Sequence, residues 1–121
     1  MRSLFRFVVI AAVSGFLMGH ALAQSMSGPE IMDAWGDKPL TTTLANGTAM
    51  GILFAKDGTV VASGRFSDQG VWAPTQNGYC TKWSRFNNGE ERCFTVVRRQ
   101  DGGFTVLTAQ GALSANVDPI K

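Results

Sequence analysis

The chain has 121 residues, with 11 Lys and Arg against 9 Asp and Glu and a single His. That is enough for one small domain, and a charge this close to zero excludes the basic surface of a nucleic-acid or anionic-membrane protein. One histidine and two cysteines leave little for metal or nucleophile chemistry.

Met1 to Arg6 carries two positive charges and no acid, Phe7 to Met18 is an almost unbroken apolar run, and Ala21-Leu22-Ala23 is a small-x-small site. This order reads as a secretory signal over residues 1–23, cleaved after Ala23. The apolar run is too short to span about 30 Å of hydrocarbon, and no Cys follows the site to take a lipid. The expected location is therefore the periplasm or the exterior, with no stable membrane anchor after cleavage. Arg2, Arg6 and His20 leave with the signal, so the mature chain has nine basic and nine acidic residues and no imidazole.

Residues 24–38 form the next unit. Gln24 and Ser25 read as a loose start. Ser27-Gly28-Pro29-Glu30 has the spacing of a capping box, and Met26 and Ile31 stand at the two positions of a hydrophobic staple. The pattern predicts a short helix over Gly28 to Trp35, with Ile31, Ala34 and Trp35 facing a core and Gly36 ending it in a left-handed conformation. A helix of this length is marginal alone and must dock on something.

From residue 39 to 121 the pattern changes. Gly follows a polar residue at Asn46-Gly47, Asp57-Gly58, Gln69-Gly70, Asn77-Gly78, Asn88-Gly89, Asp101-Gly102 and Gln110-Gly111. Short β-rich runs between such turns indicate an all-β antiparallel meander. Eight strands are expected: Leu40–Ala45, Thr48–Lys56, Thr59–Phe66, Val71–Pro74, Tyr79–Arg85, Glu91–Arg99, Phe104–Ala109 and Ala112–Val117. A two-residue turn at Asp57-Gly58 would place Phe54 opposite Val61, Leu53 opposite Ala62 and Gly51 opposite Gly64. Both faces of this Thr48–Phe66 hairpin are partly apolar, so periodicity leaves its inner face open. Eight short strands with glycine-marked curvature suit a small closed or nearly closed barrel, with a two-layer sandwich as the second choice.

Cys80 and Cys93, with twelve residues between them, read as a structural disulfide in an oxidising compartment. A register that sets Cys80 opposite Cys93 also sets Tyr79 opposite Phe94, Thr81 opposite Arg92 and Lys82 opposite Glu91, all compatible neighbours. Tyr79, Thr81 and Trp83 then share one face with Phe94 and Val96, the expected core face.

The search for chemistry returns little. Ser-His-Asp and Cys-His catalysis lack a histidine. No motif surrounds Lys38, Lys56 or Lys82 for a Ser-Lys pairing. Glu90-Glu91 is the only adjacent acid pair, and Asp57, Asp68 and Asp101 sit at separate turns. Neither a hard-cation site nor a glycosidase pair follows from them. The expectation is no cofactor, no metal and no catalytic residue. Arg85, Arg92, Arg98 and Arg99 read as a solvated outer face, or as contacts to an anionic ligand. Trp35, Trp72, Trp83 and Tyr79 are many aromatics for so short a domain; any that line a barrel mouth would suit an apolar or sugar ligand. The candidate ligand or partner contacts are Trp72, Tyr79, Trp83, Arg85 and Arg92.

Asp57-Gly58-Thr59, Gly70-Val71-Trp72, Tyr79-Cys80-Thr81-Lys82-Trp83 and Cys93-Phe94-Thr95-Val96-Val97 form a recognisable string. It resembles small exported proteobacterial proteins of the domain of unknown function 995 type, over roughly Ser27 to Val117. The chain is also more weakly similar to small periplasmic β-barrels that inhibit proteases or lysozyme. The resemblance implies an exported β domain and supplies no site residues. The leading functional expectation is a non-enzymatic binding or accessory domain of the cell envelope, with a protein or small-molecule partner. The alternative is an inhibitor of an envelope or host hydrolase, acting through Gln24–Asp37 or the Phe86–Glu90 loop. An uncharacterised hydrolase is a third and weaker expectation.

Overall fold

The computed structural model describes residues 24–121; the predicted signal segment and its cleavage at Ala23 lie outside the described residues. Helix α1 (Gly28–Trp35) precedes eight strands: β1 (Pro39–Leu44), β2 (Ala49–Phe54), β3 (Thr59–Gly64), β4 (Asp68–Pro74), β5 (Tyr79–Trp83), β6 (Arg92–Arg98), β7 (Phe104–Thr108) and β8 (Leu113–Val117). Each strand pairs with the next, and β8 returns to β1 through Thr42–Val117, Thr43–Asn116 and Leu44–Ala115, closing the barrel. The expected all-β barrel is what forms, and closure rules out the two-layer sandwich.

Four hairpin turns share one construction. Leu44 pairs with Thr48, Ala55 with Thr59, Arg99 with Gly103 and Thr108 with Ala112, each pair enclosing three residues. The third is always a left-handed glycine: Gly47, Gly58, Gly102 and Gly111 have φ between 87° and 99°. In three of them the middle side chain accepts from the amide just past the glycine: Asn46 from Thr48 at 2.9 Å, Asp57 from Thr59 at 2.9 Å and Asp101 from Gly103 at 2.8 Å. Gln110 does not fill that role, and the Thr108 hydroxyl receives the Ala112 amide instead, at 3.1 Å.

These three-residue loops correct the register expected for β2 and β3. Phe54 faces Val60, Ile52 faces Ala62 and Met50 faces Gly64, while Gly51 stands opposite Ser63 rather than Gly64. One extra turn residue moves every pair by one place. It also settles the inner face: Met50, Phe54, Val60 and Ala62 are buried. Gly70 and Gly78 serve differently. Neither is left-handed; a Cβ there would run into the backbone oxygens of Lys82 and Phe94 respectively.

The capping box forms as expected, with Ser27 N donating to Glu30 Oε1 (2.8 Å) and Glu30 N donating to Ser27 Oγ (3.2 Å). Met26 and Ile31 are both buried, which completes the staple. Gly36 is not left-handed, contrary to expectation; Asp37 is, with φ 61°. The turn is imposed from the barrel, because Asp37 N donates to Phe54 O and Asp37 Oδ1 accepts from Lys56 N. Nor is Ser25 part of a loose segment. Ser25 bridges Val97, and Met26 N donates to Val96 O at 2.7 Å, on the edge of β6 beyond the reach of β5.

Helix α1 closes one end of the barrel. Trp35 has no exposed surface and inserts among Phe54, Tyr79 and Phe104, with ring centroids 5.3, 5.6 and 5.5 Å away. Those separations fall in the range that aromatic pairs favour. Ile31, also fully buried, completes the plug.

Candidate functional site

With one end plugged, the other end is the mouth, bordered by the β1–β2, β3–β4, β5–β6 and β7–β8 connections. Below it lies a cavity of about 660 Å³, within the range of about 300–1,000 Å³ typical of small-molecule sites. Phe54, stacked on Trp35, and Tyr79, edge-on to it, form its floor. Met50, Ile52, Val106 and Ala115 line one wall, and Thr81, Trp83 and Phe94 the other. Asn46, Phe66, Phe86, Asn87 and Ser114 reach the rim. None of the lining residues carries a charge. An eight-stranded barrel is just wide enough either to be filled by side chains or to hold one small ligand.

The cysteine hairpin sets the wall as the sequence implies. Cys80 pairs with Cys93 (Cα atoms 3.9 Å apart), Tyr79 with Phe94 and Thr81 with Arg92, and the disulfide forms on the outer face. Tyr79, Thr81, Trp83 and Val96 are all buried. The Lys82–Glu91 pairing does not form, because the β5–β6 ladder stops at Thr81–Arg92. Past that point β5 follows β4 instead. Ser84 N donates to Gln69 O at 2.9 Å, and Asp68 Oδ2 accepts from the amides of Arg85 (2.8 Å) and Phe86 (2.9 Å).

Asp68 is thus the tie that seats Phe86 at the mouth. It begins β4, three residues earlier than the expected start at Val71, because Ala62 pairs with it. Its side chain is only 3% exposed. Desolvation opposes its ionisation, but the amides of Phe86, Arg85 and Gln69 and the nearby Arg85 guanidinium outweigh it and hold the carboxyl below its usual range. Phe86 then packs on Trp83 with ring centroids 5.1 Å apart. Asn87, Asn88 and Gly89, all left-handed, carry the chain back toward β6.

The expected contact residues divide. Tyr79 and Trp83 line the cavity. Burial pushes the Tyr79 phenol up, so it stays neutral. Trp72 is buried but does not reach the cavity; its indole donates to Ala55 O at 2.7 Å and its ring packs on Phe54. Neither arginine lines the cavity: Arg85 is bonded to Ser67 O and close to Asp68, and Arg92, opposite Thr81 in the register, is exposed and pairs with Glu90 at 3.1 Å. Arg99 is no solvated surface residue. It is partly buried and holds Asp101, Phe104 O and Asn116. Sequence reasoning did not single out Met50, Ile52, Phe66 or Ala115, and it reached Phe86 only as the start of the Phe86–Glu90 loop; for Met50 and Ile52 the signal was their alternation, unreadable until the turn length is known.

The acids do not converge. Asp57 is held below its usual range first by the Thr59 amide, and Asp101 first by the Arg99 side chain. Among the described residues no three metal-ligating side chains gather. One polar atom in the cavity wall stands out. Thr81 Oγ1 is buried without a hydrogen-bond partner, whereas the equally buried Thr42 hydroxyl donates to Met50 O at 3.0 Å. Comparison with protein-family models, curated proteins and solved structures finds no match to this chain.

Proposed function

We propose that this protein is an exported, non-enzymatic binding barrel that takes a small apolar molecule through its open mouth. The observation that carries the reading is the cavity of about 660 Å³, walled by aromatic and aliphatic side chains and closed below by Trp35. Small-molecule sites are mostly apolar clefts of about 300–1,000 Å³, and this one has an uncharged, largely apolar lining. Export rests on the signal-like first 23 residues and on the disulfide, which persists in oxidising compartments. Pairing begins at Ser25, so processing after Ala23 would leave every described strand intact. The resemblance to small exported β proteins agrees with both points. An inhibitor of envelope hydrolases would have to work through the Phe86–Glu90 loop, since Met26, Ile31 and Trp35 of the other candidate segment are buried in the barrel.

Titration with N-phenyl-1-naphthylamine, which fluoresces in apolar surroundings, tests the reading. Ala115 faces the cavity, and Ala115→Phe would fill it. The variant is expected to weaken probe binding at least about tenfold while leaving the thermal midpoint nearly unchanged, because the added ring occupies open space rather than overpacking a full core. Undiminished binding by Ala115→Phe would place the probe elsewhere and remove the proposal.

A further inference from the structure

The cavity's chemistry narrows what it holds; this inference rests on the binding reading above. We infer that the ligand is an uncharged, ring-bearing molecule with one hydrogen-bonding group, a hydroxyl or carbonyl, that meets Thr81. Three observations lead there. First, no charged side chain lines the cavity. No cation reaches the interior: Arg85 is engaged with Ser67 O and Asp68, Arg92 with Glu90, and Arg65 lies over the ring of the rim residue Phe66, 5.7 Å from its centroid. A ligand charge carried inside would lose its hydration and find no counter-charge.

Second, rings from several strands face the space, with Phe54 and Tyr79 below and Trp83, Phe86 and Phe94 around. Their faces and edges match a flat aromatic or fused-ring body better than a flexible chain. Third, Thr81 Oγ1 is buried in the wall without a partner. Buried polar atoms in native proteins are nearly always hydrogen-bonded, so a polar ligand atom that reached Thr81 would gain a bond that an apolar one would not. A hydroxyl both donates and accepts, so it suits an alcohol, phenol or carbonyl.

Two paired comparisons test this on the full mature protein. The first sets N-phenyl-1-naphthylamine against 8-anilinonaphthalene-1-sulfonate, which has the same skeleton with a sulfonate added. The uncharged probe is expected to bind at least about tenfold more tightly, with Ala115→Phe abolishing the signal. Equal or tighter binding of the sulfonate would overturn the uncharged class while leaving the cavity reading in place. Failure of both probes to bind would remove the cavity reading itself.

The second comparison sets 1-naphthol against 1-methylnaphthalene as competitors, on the wild type and on Thr81→Val. The variant keeps the side-chain shape and removes an unpaired hydroxyl, so it folds as the parent does. It is expected to weaken 1-naphthol about fivefold and to leave 1-methylnaphthalene unchanged. An equal effect on the two competitors, or none on either, would overturn the role of Thr81.

Discussion

Replacing Trp35 with alanine is expected to cost about 3–5 kcal/mol of folding stability, the usual loss for a fully buried large aromatic. Trp35 is the residue on which the closed end converges. Its ring touches Phe54 of β2, Tyr79 of β5 and Phe104 of β7, so one side chain joins three of the eight strands to the helix. A short helix has little stability of its own, and α1 without Trp35 would be left with Ile31, the Met26 staple and the partly buried Met32 and Ala34 to hold it. Phe54 and Tyr79 alone would stand between the void left and the mouth cavity. Total stability for a domain of this size is about 5–15 kcal/mol, so the variant would sit close to unfolding. Trp35→Phe is expected to lose roughly half as much or less. It retains the ring contacts and removes the indole Nε1, which is buried without a partner in the parent. Urea denaturation of the two variants measures the difference. A Trp35→Ala loss below about 1 kcal/mol would contradict the plug.

The second large effect is expected from the disulfide. Removing it by Cys80→Ser with Cys93→Ser should cost about 3 kcal/mol, from the twelve-residue loop it closes. For a domain of this size, that corresponds to a fall of roughly 10–20 °C in the thermal midpoint. Its position makes the loss matter locally. The β5–β6 ladder has only three residue pairs, and the cystine is the middle one. On the mouth side the two strands already diverge, with β5 following β4 through Asp68 and Ser84. On the other side the edge of β6 is taken over by Ser25 and Met26. Without the crosslink this seam is the first place the barrel should open, and Trp83 and Phe94 would lose their fixed spacing within the cavity wall. Comparing oxidised, reduced and double-serine forms in denaturant checks the figure. A change below about 1 kcal/mol would show that the neighbouring ladders hold the seam alone.

Much of this fold was legible in the sequence, and the residues say why. Ser27, Glu30, Met26 and Ile31 act within a few positions of one another, so the helix start could be read locally. Cys80 and Cys93 fixed a register, and Tyr79, Thr81, Trp83 and Val96 fell on the inner face as that register required. The errors arose where distant chain decides local shape. Asp-Gly is compatible with both two- and three-residue turns, and the choice moved every β2–β3 pair by one place. Gly36 was read as the left-handed residue, but Phe54 O and Lys56 N placed that conformation at Asp37. Lys82 and Glu91 were drawn apart by Asp68, fourteen residues before Lys82 in the chain, whose carboxylate collects the Arg85 and Phe86 amides. The candidate site suffered most. Trp72, Tyr79 and Trp83 look alike in a sequence, and only closure of the barrel separates the one that fills from the two that line.

The central claim is that a small molecule enters the mouth of a barrel closed at its other end, and the position of a bound probe tests it most directly. Methyl-resolved NMR, recorded during titration with N-phenyl-1-naphthylamine, reads that position. The methyls of Leu44, Met50, Ile52 and Val106 line the cavity and should shift together and saturate. Those of Ile31 at the plug, and of the exposed Val61, Val71 and Leu113, should stay in place. Shifts confined to Val61, Val71 or Leu113, with the cavity methyls unmoved, would mean that the probe sits on the outer wall and that the barrel interior is not a binding site.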